Sequence, residues 1–208
     1  MICLTRQRED HMENFIQQPT VYFSSRGAEN TRRTLELARD RAQETGIETV
    51  LVATTTGAAG VEALKVLPEA SLVIVTHSTG FAGPDTQELT AANRQVLEAS
   101  QARVLTCQHA FGGVNRAVRK KLGTYELDEI IAYTLRIFGQ GVKVAVEMVL
   151  MAADAGLIRT DRPVICVAGT GSGADTAVMI LPSNAQNFFD LRILEIICMP
   201  ADRHPAFS

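Results

Sequence analysis

Three short segments of this chain combine small hydroxyl residues with glycine, a composition that lets a backbone come close to an anion. The first is Thr54, Thr55, Thr56 and Gly57, between an apolar run and a helical pattern. A helix start presents N–H groups without intrahelical partners and a partial positive charge, and small hydroxyl side chains add donors without blocking access. The segment lacks the following lysine of a Walker loop, so it suits a phosphate without matching that motif. An ordinary threonine helix cap would use the same residues. The second segment is Gly169, Thr170, Gly171, Ser172, Gly173, Ala174, Asp175 and Thr176. Alternate glycines allow a concave nest of N–H donors, and a plain hairpin loop is the alternative. The spacing is GxGxG, and residues 177–181 read as a strand, so a Rossmann assignment fails. Asp175 would repel a phosphate at contact and is suited to accept hydrogen bonds from sugar hydroxyls or a ring N–H. The third segment is Thr76, His77, Ser78, Thr79, Gly80 and Phe81. His77 can give or take a proton, although a structural hydrogen-bonding role is the commoner one for such a residue. His109, Ala110, Phe111, Gly112 and Gly113 follow another apolar run and would complete the same rim. Arg116, Arg119, Lys120 and Lys121 read as a solvated basic helix face, with attraction of an anion as the alternative.

The elements that must position these segments alternate between strand-like and helix-like patterns. Short apolar runs at 21–24, 50–53, 72–75 and 103–106 read as strands buried on both faces. Between them, Leu35, Ala38 and Ala42 mark a helix capped by Asn30 and stopped by Gly46. Val61, Leu64 and Leu67 mark a second helix, ended by Pro68, and a third falls near 87–100. This alternation predicts a mainly parallel sheet with crossover helices, whose loops beyond the strand ends gather the candidate segments on one edge. In 126–138 the residues Leu127, Ile130, Ile131, Leu135 and Phe138 form a stripe expected to face the core. Residues 142–155 are apolar nearly all round and predict the most buried helix. Their polar positions Lys143, Glu147 and Asp154 fall on one line, expected to be a solvated ion-pair row rather than a catalytic trio. Runs at 164–168, 177–181 and 191–198 are too close for crossover helices, so this end should be at least partly antiparallel. Residues 1–18 lack periodicity and are expected to be a tail dispensable for ligand binding, leaving 19–208 as a single domain.

The chain has 208 residues, 46% of them hydrophobic and 21% charged, with a formal net charge of −3 and no Trp. That balance gives no electrostatic footprint for nucleic acid and little aromatic surface for base stacking. Cys3, Cys107, Cys166 and Cys198 make no CxxC pair, which argues against a zinc ribbon or thioredoxin-like site and fits a reducing, cytoplasmic compartment. No apolar run is long and uncharged enough to span a bilayer. The apolar 191–198 run, taken as a sheet edge needing cover, predicts a homo-oligomer.

The order of several motifs resembles the stand-alone pyruvate kinase carboxyl-terminal-domain-like family of archaea and bacteria. They include 21–23 (VYF), 29–31 (ENT), 54–57 (TTTG), 76–81 (THSTGF), 121–123 (KLG), 151–156 (MAADAG), 173–177 (GADTA), 187–190 (NFFD) and 195–200 (EIICMP). The match covers roughly 20–200. The resemblance implies a three-layer α/β/α domain. In pyruvate kinase the loop matching Thr54, Thr56 and Gly57 can hold a sugar-phosphate activator; Gly60 stands where that loop usually has Ala, so the activator itself is not implied. Stand-alone relatives look like binders of flavin mononucleotide (FMN). The resemblance therefore implies FMN, with its phosphate on the 54–57 turn and its ring near 76–81 and 169–176. A sensor domain for another phosphorylated metabolite is the alternative. No segment supplies the kinase's catalytic barrel, so phosphoryl transfer is not carried over.

Overall fold

The computed structural model describes residues 15–201. Residues 1–14, most of the expected tail, lie outside the described residues, and 15–18 are exposed without regular structure. Seven strands form one sheet: β1 (Val21–Phe23), β2 (Thr49–Thr54), β3 (Ser71–Thr76), β4 (Arg103–Leu105), β5 (Val164–Ala168), β6 (Thr176–Leu181) and β7 (Arg192–Pro200). Their spatial order is β1-β7-β6-β5-β2-β3-β4. Only β6 runs against the others, as the short links around it require. β7 lies between β6 and β1 rather than at an edge, which removes the sheet-edge argument for self-association, although β1 pairs only with Cys198–Pro200.

Helices cover both faces. On one side α1 (Thr31–Thr45), α2 (Ala58–Val66) and α3 (Ala91–Glu98) bury Leu35, Ala38, Ala63 and Leu97 against the sheet. Gly46 ends α1 in the left-handed conformation, φ 69°, with its N–H on the Ala42 carbonyl. Asn30 stands at the N-cap position of α1 as expected, but its side chain makes no capping bond and donates back to the Ser25 carbonyl instead. On the other side lies α6 (Gln140–Asp154), almost wholly buried as its all-round apolar pattern requires. α5 (Leu127–Arg136) packs outside α6, and α4 (Val114–Leu122) packs against α5.

The expected stripe of α5 is not its inner face. Ala132 and Glu129 are buried and Ile131 and Leu135 half-buried, while Leu127, Ile130 and Phe138 are exposed. The small Ala132 lies against α6, and Glu129 turns inward to accept a 2.7 Å bond from Arg119 of α4.

From β2 the chain moves outward to β3 and β4, then returns through α4, α5 and α6 to β5 on the opposite side of β2. The sheet order therefore reverses between β2 and β5, and such a reversal opens a crevice beyond the strand carboxyl ends.

Candidate functional site

A cavity of about 750 Å³ occupies that crevice. Its walls come from the turns after β2, β3 and β5, from the region after β4, from the start of α1, and from the side of α6.

The β2–α2 turn contributes Thr54, Thr55 and Thr56, followed by Ala58 and Ala59 at the start of α2. Thr54 is buried, and its hydroxyl accepts the Gly57 N–H at 3.0 Å, which fixes the turn. Thr56 is anchored from behind: its carbonyl accepts from the Thr90 N–H and the Asn93 side chain. The hydroxyls of Thr55 and Thr56 remain available to a ligand. Gly57 has φ 96°, and a Cβ there would lie 2.5 Å from Asn93 Cβ and 2.6 Å from Leu89 Cδ1. Glycine is therefore required at 57 for packing toward α3, and the Gly57 position itself is not among the cavity-lining residues.

Across the cavity, Gly169, Gly171, Ser172 and Gly173 form the wall after β5. This loop is clamped rather than loose. The Ala174 N–H donates to Thr31 Oγ1 of α1 at 3.0 Å, and Gly173 sits so close to Ala28 that a Cβ would come within 2.4 Å of its Cα. Asp175 is fully buried beneath the loop. It accepts from the N–H groups of Gly27 and Thr170 and from the hydroxyls of Thr170 and Thr176. Its four donors leave it a builder of the loop. Thr176 is likewise buried, packed against Gly141 of α6.

The third segment divides. Thr76, His77 and Phe81 line the cavity, and Ser78, Thr79 and Gly80 do not. His77 Nδ1 lies 2.7 Å from Glu88 Oε2. The rings of His77 and Phe81 are 4.1 Å apart, and Phe81 stacks on His109 at 4.9 Å. The Arg116 guanidinium lies over Phe81 at 4.8 Å, so Arg116 leaves the basic cluster of α4 and joins the cavity wall. Arg119, by contrast, pairs with Glu129. Arg136 and Gln140 complete that side, bonded to each other at 2.7 Å.

The main correction concerns α6. Lys143 and Glu147 are not solvated: each is only 4% exposed, and both line the cavity with Val144, Met148 and Met151. Lys143 Nζ donates to Glu147 Oε2 at 2.5 Å, the Phe111 N–H donates to Oε1 at 3.0 Å, and His109 Nδ1 lies 3.7 Å from Oε2. The Ser78 N–H donates to His109 Nε2, which leaves the ring proton on Nδ1, facing Glu147. Burial opposes the Glu147 charge, but His109 and Lys143 outweigh it and hold the carboxyl down to about 2. Burial also pulls Lys143 below the ordinary lysine value; Glu147 resists this, and Arg136 and Arg116 add to it. Asp154, the third polar residue of the row, is exposed and instead accepts from Asn184 and the Ala185 N–H. The four-residue step between 143 and 147 was visible in the sequence. Which way it faced was not, because apolar side chains surround it on every side of α6.

The cavity is lined by the threonines of the β2–α2 turn, the first residues of α2, the glycines and Ser172 after β5, an aromatic wall, and three cationic side chains beside the buried Glu147 carboxylate. Among the described residues no His, Cys, Asp and Glu cluster could hold a metal ion. Fold and site together define a mixed-sheet α/β/α domain with a cationic cavity at its topological switch point. The chain belongs to the pyruvate kinase alpha/beta domain family, whose model matches residues 32–180. It is also similar to a solved pyruvate kinase from Cryptosporidium parvum, at 12% identity and a TM-score of 0.40 over 74% of this chain. The matched part is 23% of that kinase, so this chain spans less than a quarter of its length.

Proposed function

We propose that the protein binds a phosphorylated small molecule in this cavity, and that FMN is the ligand its groups fit best. The observation that carries the reading is the convergence of the 54–57 turn, the start of α2 and the 169–173 loop on one space, where Arg116, Arg136 and Lys143 also point. An anion in that space meets N–H donors, two uncommitted threonine hydroxyls and positive charge together. The wall of His77, Phe81 and His109 supplies a surface for a planar ring. When bound, the flavin would supply redox chemistry; this chain's residues would hold the phosphate and orient the ring. An absorbance spectrum and a native mass of freshly purified protein test the reading. A flavin spectrum with the matching added mass supports it. Protein that is colourless and takes up no added FMN would remove FMN as the ligand.

A sensor role for another phosphorylated metabolite is favoured by one feature. α4 and α5 place Arg116 and Arg136 in the cavity, yet carry Leu122, Leu127, Ile130, Tyr133 and Ile137 on their exposed side. A ligand that draws in the two arginines would shift a surface suited to a second copy of the chain. We place the expected self-association there rather than along β7. No helix among the described residues is long and apolar enough to cross a membrane.

A further inference from the structure

We propose that Lys143 is a carbonyl-condensing amine, and that the cavity accepts a phosphorylated aldehyde or ketone which Lys143 holds as a protonated Schiff base. The proposal rests on the anion-binding reading of the cavity, not on flavin as its occupant.

The chain's lysines are Lys65, Lys120, Lys121 and Lys143. The first three are exposed; Lys143 is the one lysine in the cavity wall, where α6 also contributes Gln140 and Glu147 beside the apolar Val144, Met148 and Met151. A buried ion pair is a poor way to stabilise a helix, because desolvating both charges consumes most of their attraction and an apolar pair of similar size would serve as well. A buried pair that faces an open cavity, beside groups suited to phosphate, calls for a chemical reason. Condensation supplies one.

Glu147 is built to carry the protons. Its Oε1 is tied to the Phe111 N–H, so the carboxylate keeps its place while Oε2 stays 2.5 Å from Nζ. The Lys143 ammonium passes a proton to Glu147, and the amine electron pair forms the N–C bond to the carbonyl carbon. The carbonyl oxygen takes up that proton, and nitrogen returns one to Glu147. Protonation of the hydroxyl then expels it as water while the nitrogen pair closes the C=N bond. In net terms an ammonium and a carbonyl give a protonated iminium and one water, with Glu147 ionised before and after. The iminium keeps its positive charge beside Glu147, so the buried carboxylate is never left unpaired. Burial, with Arg136 and Arg116 nearby, lowers the Lys143 pKa and raises the share of free amine.

The test uses the unmodified full chain and pyridoxal 5′-phosphate, a phosphorylated aromatic aldehyde, as probe. The protein is incubated with it at neutral pH and reduced with sodium borohydride, and the pyridoxyl group is located by peptide mass spectrometry. Lys143 is expected to react about tenfold or more faster than Lys65, Lys120 and Lys121, because the anchored aldehyde is held at high effective concentration. Inorganic phosphate should slow this reaction alone, and pyridoxal, which lacks the phosphate, should show little preference for Lys143. Label confined to the three exposed lysines would overturn the proposal and leave Lys143 a counter-charge. If phosphate-sensitive binding of the probe accompanies that result, the anion reading survives. Equal, fast labelling of Lys143 by both aldehydes would instead leave condensation standing and remove the phosphate site.

Discussion

Lys143 and Glu147 form a buried ion pair, each side chain about 4–5% exposed. Removing one member of a buried pair strands the other, at a cost of about 3–5 kcal/mol, whereas replacing both with apolar residues is often neutral. Lys143→Met should therefore lower the urea midpoint sharply, and Lys143→Met with Glu147→Leu should recover most of the loss. No recovery would show that the Phe111 N–H bond, not the charge pair, is what matters. The pair also sets an acid dependence. The folded carboxyl of Glu147 sits at about 2 against an ordinary 4.5, a depressed value. Its contribution is then complete above pH 4.5 and lost as pH falls toward 2. Glu147→Gln should flatten the stability curve across that interval, measured by urea unfolding at successive pH values; an unchanged acid slope would place the titration elsewhere.

Glycines decide how closely the elements fit around the cavity. Gly57→Val forces a side chain into Asn93 and Leu89 at a φ of 96°. The expected result is a loss of well over ~1 kcal/mol in stability, with FMN and riboflavin binding damaged alike. Loss of FMN binding alone would return Gly57 to the phosphate site. Gly141, where a Cβ would lie 2.1 Å from Thr176 Oγ1, explains how α6 comes close enough to β6 to put Lys143 in the cavity. These contacts also show what could be read from the sequence. Continuous apolar runs marked β2, β3 and β5, and the crowded runs after residue 164 marked the antiparallel β6. The threonine and glycine segments marked two of the cavity walls. The facing of α5 and α6 was hidden. A stripe of Leu127, Ile130 and Phe138 looks like a core face until Ala132 wins the contact with α6, and a helix apolar all round gives no bearing for its two charges. His109 and Arg116 were visible as residues, but only the fold stacks them on Phe81.

For the molecule as a whole, the exposed apolar side chains of α4 and α5 argue for association. Sedimentation at micromolar concentration should show a dimer or larger, and Leu127→Glu combined with Ile137→Glu should shift it to monomer without altering the far-ultraviolet circular dichroism. A monomer before mutation would end this reading and leave the cavity untouched. The reversal of strand order between β2 and β5 ties the domain to its cavity, because it leaves the loops from both sides of the sheet facing one space. The measurement that bears most directly on a phosphate there is calorimetric titration of FMN and riboflavin into the protein and into Thr56→Ala. A charge-assisted bond from a hydroxyl contributes roughly 1.5–3 kcal/mol, so Thr56→Ala should weaken FMN by about tenfold to a hundredfold and riboflavin far less. Equal losses for the two ligands, or none for either, would contradict a phosphate on the 54–57 turn.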